Sequence, residues 1–192
     1  MKFILSKIKT YFGKLDKLLL FMCMGIAFFA VFIQYTLYEN DISSAVTASQ
    51  YKTQIIAFIA GIVIAMALAA INYKYLAKLW FIYVPLAMGL TLLLFTPLGI
   101  QREGADDIGW LDLGIMTIQP SEILKLAFIL SLAVHLSKVE DRMNEPIHFI
   151  LLCIHGAIPT LLIRQTGDDG SALVFLFIFI LSLIHISEPT RL

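Results

Sequence analysis

Glu122 and Lys125 stand three residues apart in QPSEILKLAFILSLAV (residues 119–134), a run otherwise rich in Ile, Leu, Ala, Phe and Val. On a helix that spacing lets a carboxylate and an ammonium pair. Pro120 suits the first helical position, where its missing N–H costs nothing and its φ is already set. Ser121 and Glu122 then fall in the first turn. The helix dipole favours a carboxylate there, within reach of a free backbone N–H. One reading makes Glu122 a cap at the membrane interface. Lys125 sits a turn deeper, where a charge costs roughly 2.5–3.5 kcal/mol and normally faces a bundle interior or a wet cavity. It either snorkels outward along its own stem or joins Glu122 as a buried ion pair in a polar pocket.

Two other stretches reach the same side. The glycines and Trp110 of GADDIGWLDLG (104–114) point to an ordered re-entrant or interfacial loop. The plainer alternative is an acidic loop with a tryptophan at the membrane surface. In RQTGDDGSALVF (164–175), Gly170 and Ser171 read as a turn feeding a helix, with Asp168 as its N-terminal cap or as a solvated loop charge. His148 and His155 are seven apart and can share a helix face, and His135 closes the charged run. Cys23 and Cys153 lie in apolar runs with no CxxC pair, so they read as small hydrophobes rather than a disulfide or metal site. No HExxH, GxSxG or phosphate-cradling loop occurs. No metal, nucleotide or other cofactor is identified, and a divalent cation is left open.

The elements that must position these residues are membrane helices. The chain is 59% hydrophobic and 15% charged, with a mean hydropathy of +0.87. A soluble domain is nearer half apolar and a quarter charged. A span needs roughly 20 apolar residues. Six runs approach this: 18–38, 54–71, 79–96 with Pro85 as a kink, 120–136, 146–163 with Pro159 bending or ending it, and the shorter 171–184. Residues 18–38 are too long and bulky for a cleaved signal peptide and read as a retained span. The expected fold is all-α and polytopic, one continuous membrane domain.

Charge placement orients it. With the N-terminus in the cytoplasm, nine basic residues lie inside: Lys2, Lys7, Lys9, Lys14, Lys17, Lys74, Lys78, Lys138 and Arg142. Three lie outside: Lys52, Arg102 and Arg164. That asymmetry fits the positive-inside rule. Glu103, Asp106, Asp107, Asp112, Asp168 and Asp169 then face outward. The net charge is zero and gives no sign of a nucleic-acid partner.

Together these stretches resemble the RodA/FtsW/SpoVE (SEDS) family of bacterial cell-wall synthesis, RodA most closely. The resemblance rests on Gly104 and Ala105, on Trp110-Leu111-Asp112-Leu113-Gly114, on Gln119-Pro120-Ser121-Glu122 with Lys125, and on Asp168, Gly170, Ser171 and Ala172. It covers the chain from the first span to about residue 180. It implies a multi-pass protein of the bacterial plasma membrane, usually of ten helices, that polymerises lipid II into glycan strands on the outer face beside a class B penicillin-binding protein. By the same resemblance Glu122 and Lys125 line an outward polar cavity, with Asp168 near its rim and Gln119, Ser121 and Trp110 around it. Lys125 or Arg102 could offset the pyrophosphate of lipid II. Glu122 is a poor general base if Lys125 holds it ionised.

The chain departs from the family pattern in three places. Gly109 stands where many members have an arginine before the tryptophan, with Arg102 a possible upstream substitute. Thr166 and Gly167 replace the family's Gln-Pro before Asp168, with Gln165 displaced by one. The family's presumed catalytic aspartate lies in a later outer loop, beyond this chain, so no catalytic residue is assigned. Residues 181–192 resemble a translated adapter and are expected to be foreign to the fold; an N-terminal fragment, inactive alone, is the expectation. A lipid II flippase should also offer polar groups toward the inside, where few are expected. A non-catalytic scaffold for a penicillin-binding protein could use Ala57, Gly61 and Ala65.

Overall fold

The computed structural model describes residues 16–40, 48–102, 104–114, 117–143 and 145–187. Most of the basic N-terminal segment, Glu103 and residues 188–192 lie outside them. Two compact units divide the chain, Met1–Asn72 and Tyr73–Leu192.

The first unit contains α1 (Lys17–Glu39) and α2 (Ala48–Ala70), which pack on each other. Asp16 caps α1 by accepting from the Leu19 amide at 3.0 Å. Asn40 closes it, its side-chain amide donating to the Thr36 carbonyl at 2.8 Å. Large apolar side chains such as Phe21, Ile26, Phe28 and Phe29 on α1 and Ile56, Ile59 and Val63 on α2 are exposed. A helix apolar on all sides is at home in lipid.

The second unit runs through a short helix α3 (Tyr73–Lys78), α4 (Trp80–Leu92) with a 3-10 turn (Leu93–Phe95), three short strands, α5 (Pro120–Val139), α6 (Pro146–Gln165) and α7 (Asp169–Ser187). Leu124, Ala127, Phe128, Leu132 and Leu136 recur along one face of α5. They form the core with Ala87 of α4, Leu152 and Ile163 of α6, and Ala172 and Phe175 of α7. The Phe128 and Phe175 rings meet at 5.3 Å. Lipid is as apolar as leucine, so close packing rather than hydrophobic drive must hold such helices. Gly156 of α6 supplies it: a Cβ there would lie 2.7 Å from the Phe179 ring of α7.

Among the described residues, six long helices fall on the six expected spans. Three, Lys17–Glu39, Gln50–Ala70 and Pro146–Gln165, are long and apolar enough to cross a membrane by themselves. Trp80–Phe95 and Asp169–His185 are apolar but shorter, and α5 carries Glu122, Lys125 and Lys138. Pro159 does not end its helix; α6 continues to Gln165, and the Thr160 hydroxyl donates to the Gly156 carbonyl at 2.7 Å beside the break. Residues 181–187 extend α7 as continuous helix.

Candidate functional site

The motif residues gather at one end of the second unit, because three local structures meet there. The first is an antiparallel sheet of β1 (Gly99–Ile100), β2 (Trp110–Asp112) and β3 (Thr117–Ile118), in the order β1-β2-β3. Gly99 pairs with Leu111 and Ile100 with Trp110; Leu111 also pairs with Ile118 and Asp112 with Thr117. Leu111 is fully buried beneath it. Asp112 Oδ1 accepts from the Gly114 amide at 2.8 Å, turning the chain where Gly114 takes a positive φ of 77°. The expected ordered loop is thus a small sheet.

Arg102 lies over the Trp110 indole, its guanidinium carbon 3.4 Å from the ring centroid. A cation from upstream therefore reaches the tryptophan despite Gly109. Gly109 itself is buried, and a Cβ there would run into the Asp107 carboxylate and approach the Gln119 amide to 3.9 Å.

The second structure is the start of α5. Gln119 is its N-cap in extended backbone and makes no side-chain cap bond; Pro120 opens the helix. Glu122 does not reach back to the backbone. Its Oε1 accepts from Lys125 Nζ at 2.7 Å, so the ion pair prevails over the cap. Glu122 is 59% exposed and Lys125 20%. The pair heads an outward stripe that continues apolar through Ile123, Leu126 and Ile129. Ser121 turns the other way, and its buried hydroxyl lacks a partner among the described residues.

The third is the turn from α6 to α7. Asp168 caps α7, its Oδ1 accepting from the Ser171 amide at 2.8 Å, while its Oδ2 is buried with no partner among the described residues. Arg164 reaches Asp169 at 3.7 Å. Gly167 has φ +87°, and a Cβ there would lie 3.2 Å from the Asp107 backbone. The Ile108 amide donates to the Thr166 carbonyl at 2.9 Å. That one bond ties the 104–114 loop to the Asp168 turn, about sixty residues apart in sequence.

Trp110, Gln119, Ser121, Glu122, Lys125 and Asp168 therefore share one end of the unit. Among the described residues, no hydrogen bond or ion pair joins the Glu122–Lys125 pair to Asp168. Concavities of about 300, 270 and 190 Å³ lie elsewhere, and neither member of the pair lines them.

At the opposite end the structure assembles residues that the sequence reading left apart. His155 pairs with His135 rather than sharing a site with His148, which instead reaches Glu145 at 3.3 Å. Ser131 joins His155 at 3.0 Å. Of this set only Ser131 is buried, while His135 and His155 are half-buried and Lys138 is exposed. The spacing of Ser131, His135 and Lys138, which puts all three on one helix face, was the available signal.

The chain matches the model of the family described as cell cycle protein, FtsW/RodA/SpoVE, over residues 14–190. No curated protein matches its sequence. Among solved structures it is similar to the rod shape determining protein RodA of Thermus thermophilus, with 24% identity, a TM-score of 0.64, and coverage of 86% of this chain and 54% of that one. It is also similar to a chain described under the structural coordination of polymerization and crosslinking by a peptidoglycan synthase complex, with 23% identity, a TM-score of 0.63, and coverage of 85% and 47%. The chain thus spans about half the length of these proteins, and at these identities the likeness is one of fold. The family match over nearly all of the sequence makes the assignment: the chain belongs to the FtsW/RodA/SpoVE family.

Proposed function

We propose that this chain forms part of a RodA-like peptidoglycan glycosyltransferase that polymerises lipid II on the outer face of the bacterial plasma membrane. The observation that carries the reading is the Ile108–Thr166 bond, which holds the tryptophan loop and the Asp168 turn together at the end where α5 opens with Glu122 and Lys125. A carboxylate and an ammonium on an outward helix face suit a polar, pyrophosphate-bearing substrate arriving from the membrane. Glu122, held by Lys125 at the start of α5, is a positioning group there. Gln119 and Trp110 stand at the same end, with Ser121 buried behind the pair. In a full-length protein, Glu122→Ala should abolish maintenance of cell shape while the protein still inserts in the membrane. Normal morphology with normal insertion would overturn the assignment of this end as the place where substrate is met.

A second reading, a membrane scaffold for a class B penicillin-binding protein, draws on the first unit. Ala57, Gly61 and Ala65 line an apolar groove of about 300 Å³ between α1 and α2, and Gly61 has open space around it. Gly61→Leu should weaken co-purification of the penicillin-binding protein and leave insertion intact. Unchanged co-purification would remove this groove from the interface.

A further inference from the structure

The basic end of the second unit holds a cavity of about 270 Å³ bounded by Trp80, Ser131, Val134, His135, Lys138 and His155. Its polar wall is a hydrogen-bond chain with a fixed direction. The Ser131 hydroxyl donates its single proton to the Phe128 carbonyl at 3.1 Å. His155 Nε2 must then donate to Ser131 Oγ, at 3.0 Å. A neutral His155 accepts at Nδ1, so His135 Nδ1 donates to it, again at 3.0 Å. The rings lie 5.2 Å apart, stacked, and the edge of the Phe128 ring holds His155 at 5.9 Å. His135 Nε2 is left without a partner among the described residues.

Lys138 lies almost one turn further along α5, its amine 6.0 Å from the Trp80 ring. It makes no ion pair with a carboxylate among the described residues. Among the described residues no carboxylate lines the cavity; Glu145, the acid at the start of α6, is engaged by His148. The cavity therefore offers a free ammonium, an imidazole with an open nitrogen, and apolar walls from Trp80 and Val134.

Its position is equally specific. Trp80 begins α4, Lys138 lies in the last turn of α5, and α6 begins at Pro146. The mouth therefore sits at the helix ends. His135, three residues before Lys138 on α5, lies about 4.5 Å deeper at 1.5 Å per residue, with His155 beside it. A cationic, tryptophan-edged mouth over an apolar interior matches a phosphate head group with its glycerol and chains still in the bilayer.

We propose that this cavity binds the phosphate of an anionic membrane lipid, at the end of the bundle opposite the Glu122–Lys125 pair. Lys138 contacts the phosphate, and the His155–Ser131 chain holds the His135 ring beside it, with Nε2, the lone-pair nitrogen in this arrangement, open to a hydroxyl of the head group.

The test is native mass spectrometry of the full-length protein released from nanodiscs of equal phosphatidylglycerol and phosphatidylcholine, with Lys138→Ala and His135→Gln as variants. Wild type should retain phosphatidylglycerol over phosphatidylcholine, and Lys138→Ala should cut that preference about fivefold, the expectation for one charge at a membrane surface. Lys138→Arg should keep it. His135→Gln keeps a similar size and should lose part of it with an unchanged unfolding midpoint. Equal retention of both lipids by wild type, or an unaltered preference in Lys138→Ala, would overturn the proposal. Displacement of the lipid by millimolar inorganic phosphate would overturn it too, assigning the cavity to a soluble anion.

Discussion

Helix α5 begins in a carboxylate–ammonium pair beside an ordered sheet and finishes beside a histidine–lysine cavity, and the two ends are built by different means. At the first, backbone geometry does the positioning: a sheet register, Gly114 and Gly167 at positive φ, and the Ile108–Thr166 bond. At the second, side chains from neighbouring helices hydrogen-bond across the bundle interior. Their charges differ as well. The first end mixes Asp112, Asp168 and Glu122 with Arg102, Lys125 and Arg164; the second offers Lys138 with no carboxylate among the described residues of its cavity. A backbone-built end keeps its shape when a side chain is truncated, whereas a side-chain-built end loses it.

The sharpest break in this comparison should come from the ion pair. In a full-length protein, Lys125→Ala should lower lipid II polymerisation by about 100-fold, the size of loss that misplacing a substrate brings, and should barely move the unfolding midpoint. Reversal to Glu122→Lys with Lys125→Glu should recover part of the loss. No recovery would assign the two residues separate substrate contacts.

Gly156→Leu probes the packing between the ends. A side chain there must push into the Phe179 ring, costing about 1–3 kcal/mol and lowering the unfolding midpoint. An unchanged midpoint would mean that α6 and α7 do not pack as closely as described.

Gly167→Ala is a smaller perturbation, about 1 kcal/mol or more for an alanine held at positive φ. It should speed hydrogen exchange at the Ile108 amide, which depends on the same turn, and leave exchange near His155 unaltered. Faster exchange at both places would erase the distinction between the ends. Asp168→Ala should cost about 1 kcal/mol as a lost helix cap, and Asp168→Ser should restore most of it. Activity that stays low in the stable serine variant would give the second Asp168 oxygen a role beyond capping.

Much of this architecture was legible in the residues. Runs of about 20 apolar side chains mark the helices, and the Glu122–Lys125 spacing correctly implied a pair, since i,i+3 neighbours on a helix face each other whatever surrounds them. Asp168 was legible as a cap from the Gly170-Ser171 turn after it. The small sheet was not, because strands of two or three residues carry no periodicity. Nor was the continuation of α6 past Pro159, which neighbouring hydroxyls permit and proline alone argues against. His135 and His155 are twenty residues apart on different helices, so only the packing of α5 against α6 could reveal their contact.

The most direct test of the central claim is the lipid II polymerisation rate of purified full-length Glu122→Ala, set beside its unfolding midpoint. The account predicts a rate reduced by about 100-fold with the midpoint of the unaltered protein. A rate equal to that of the unaltered protein would contradict it.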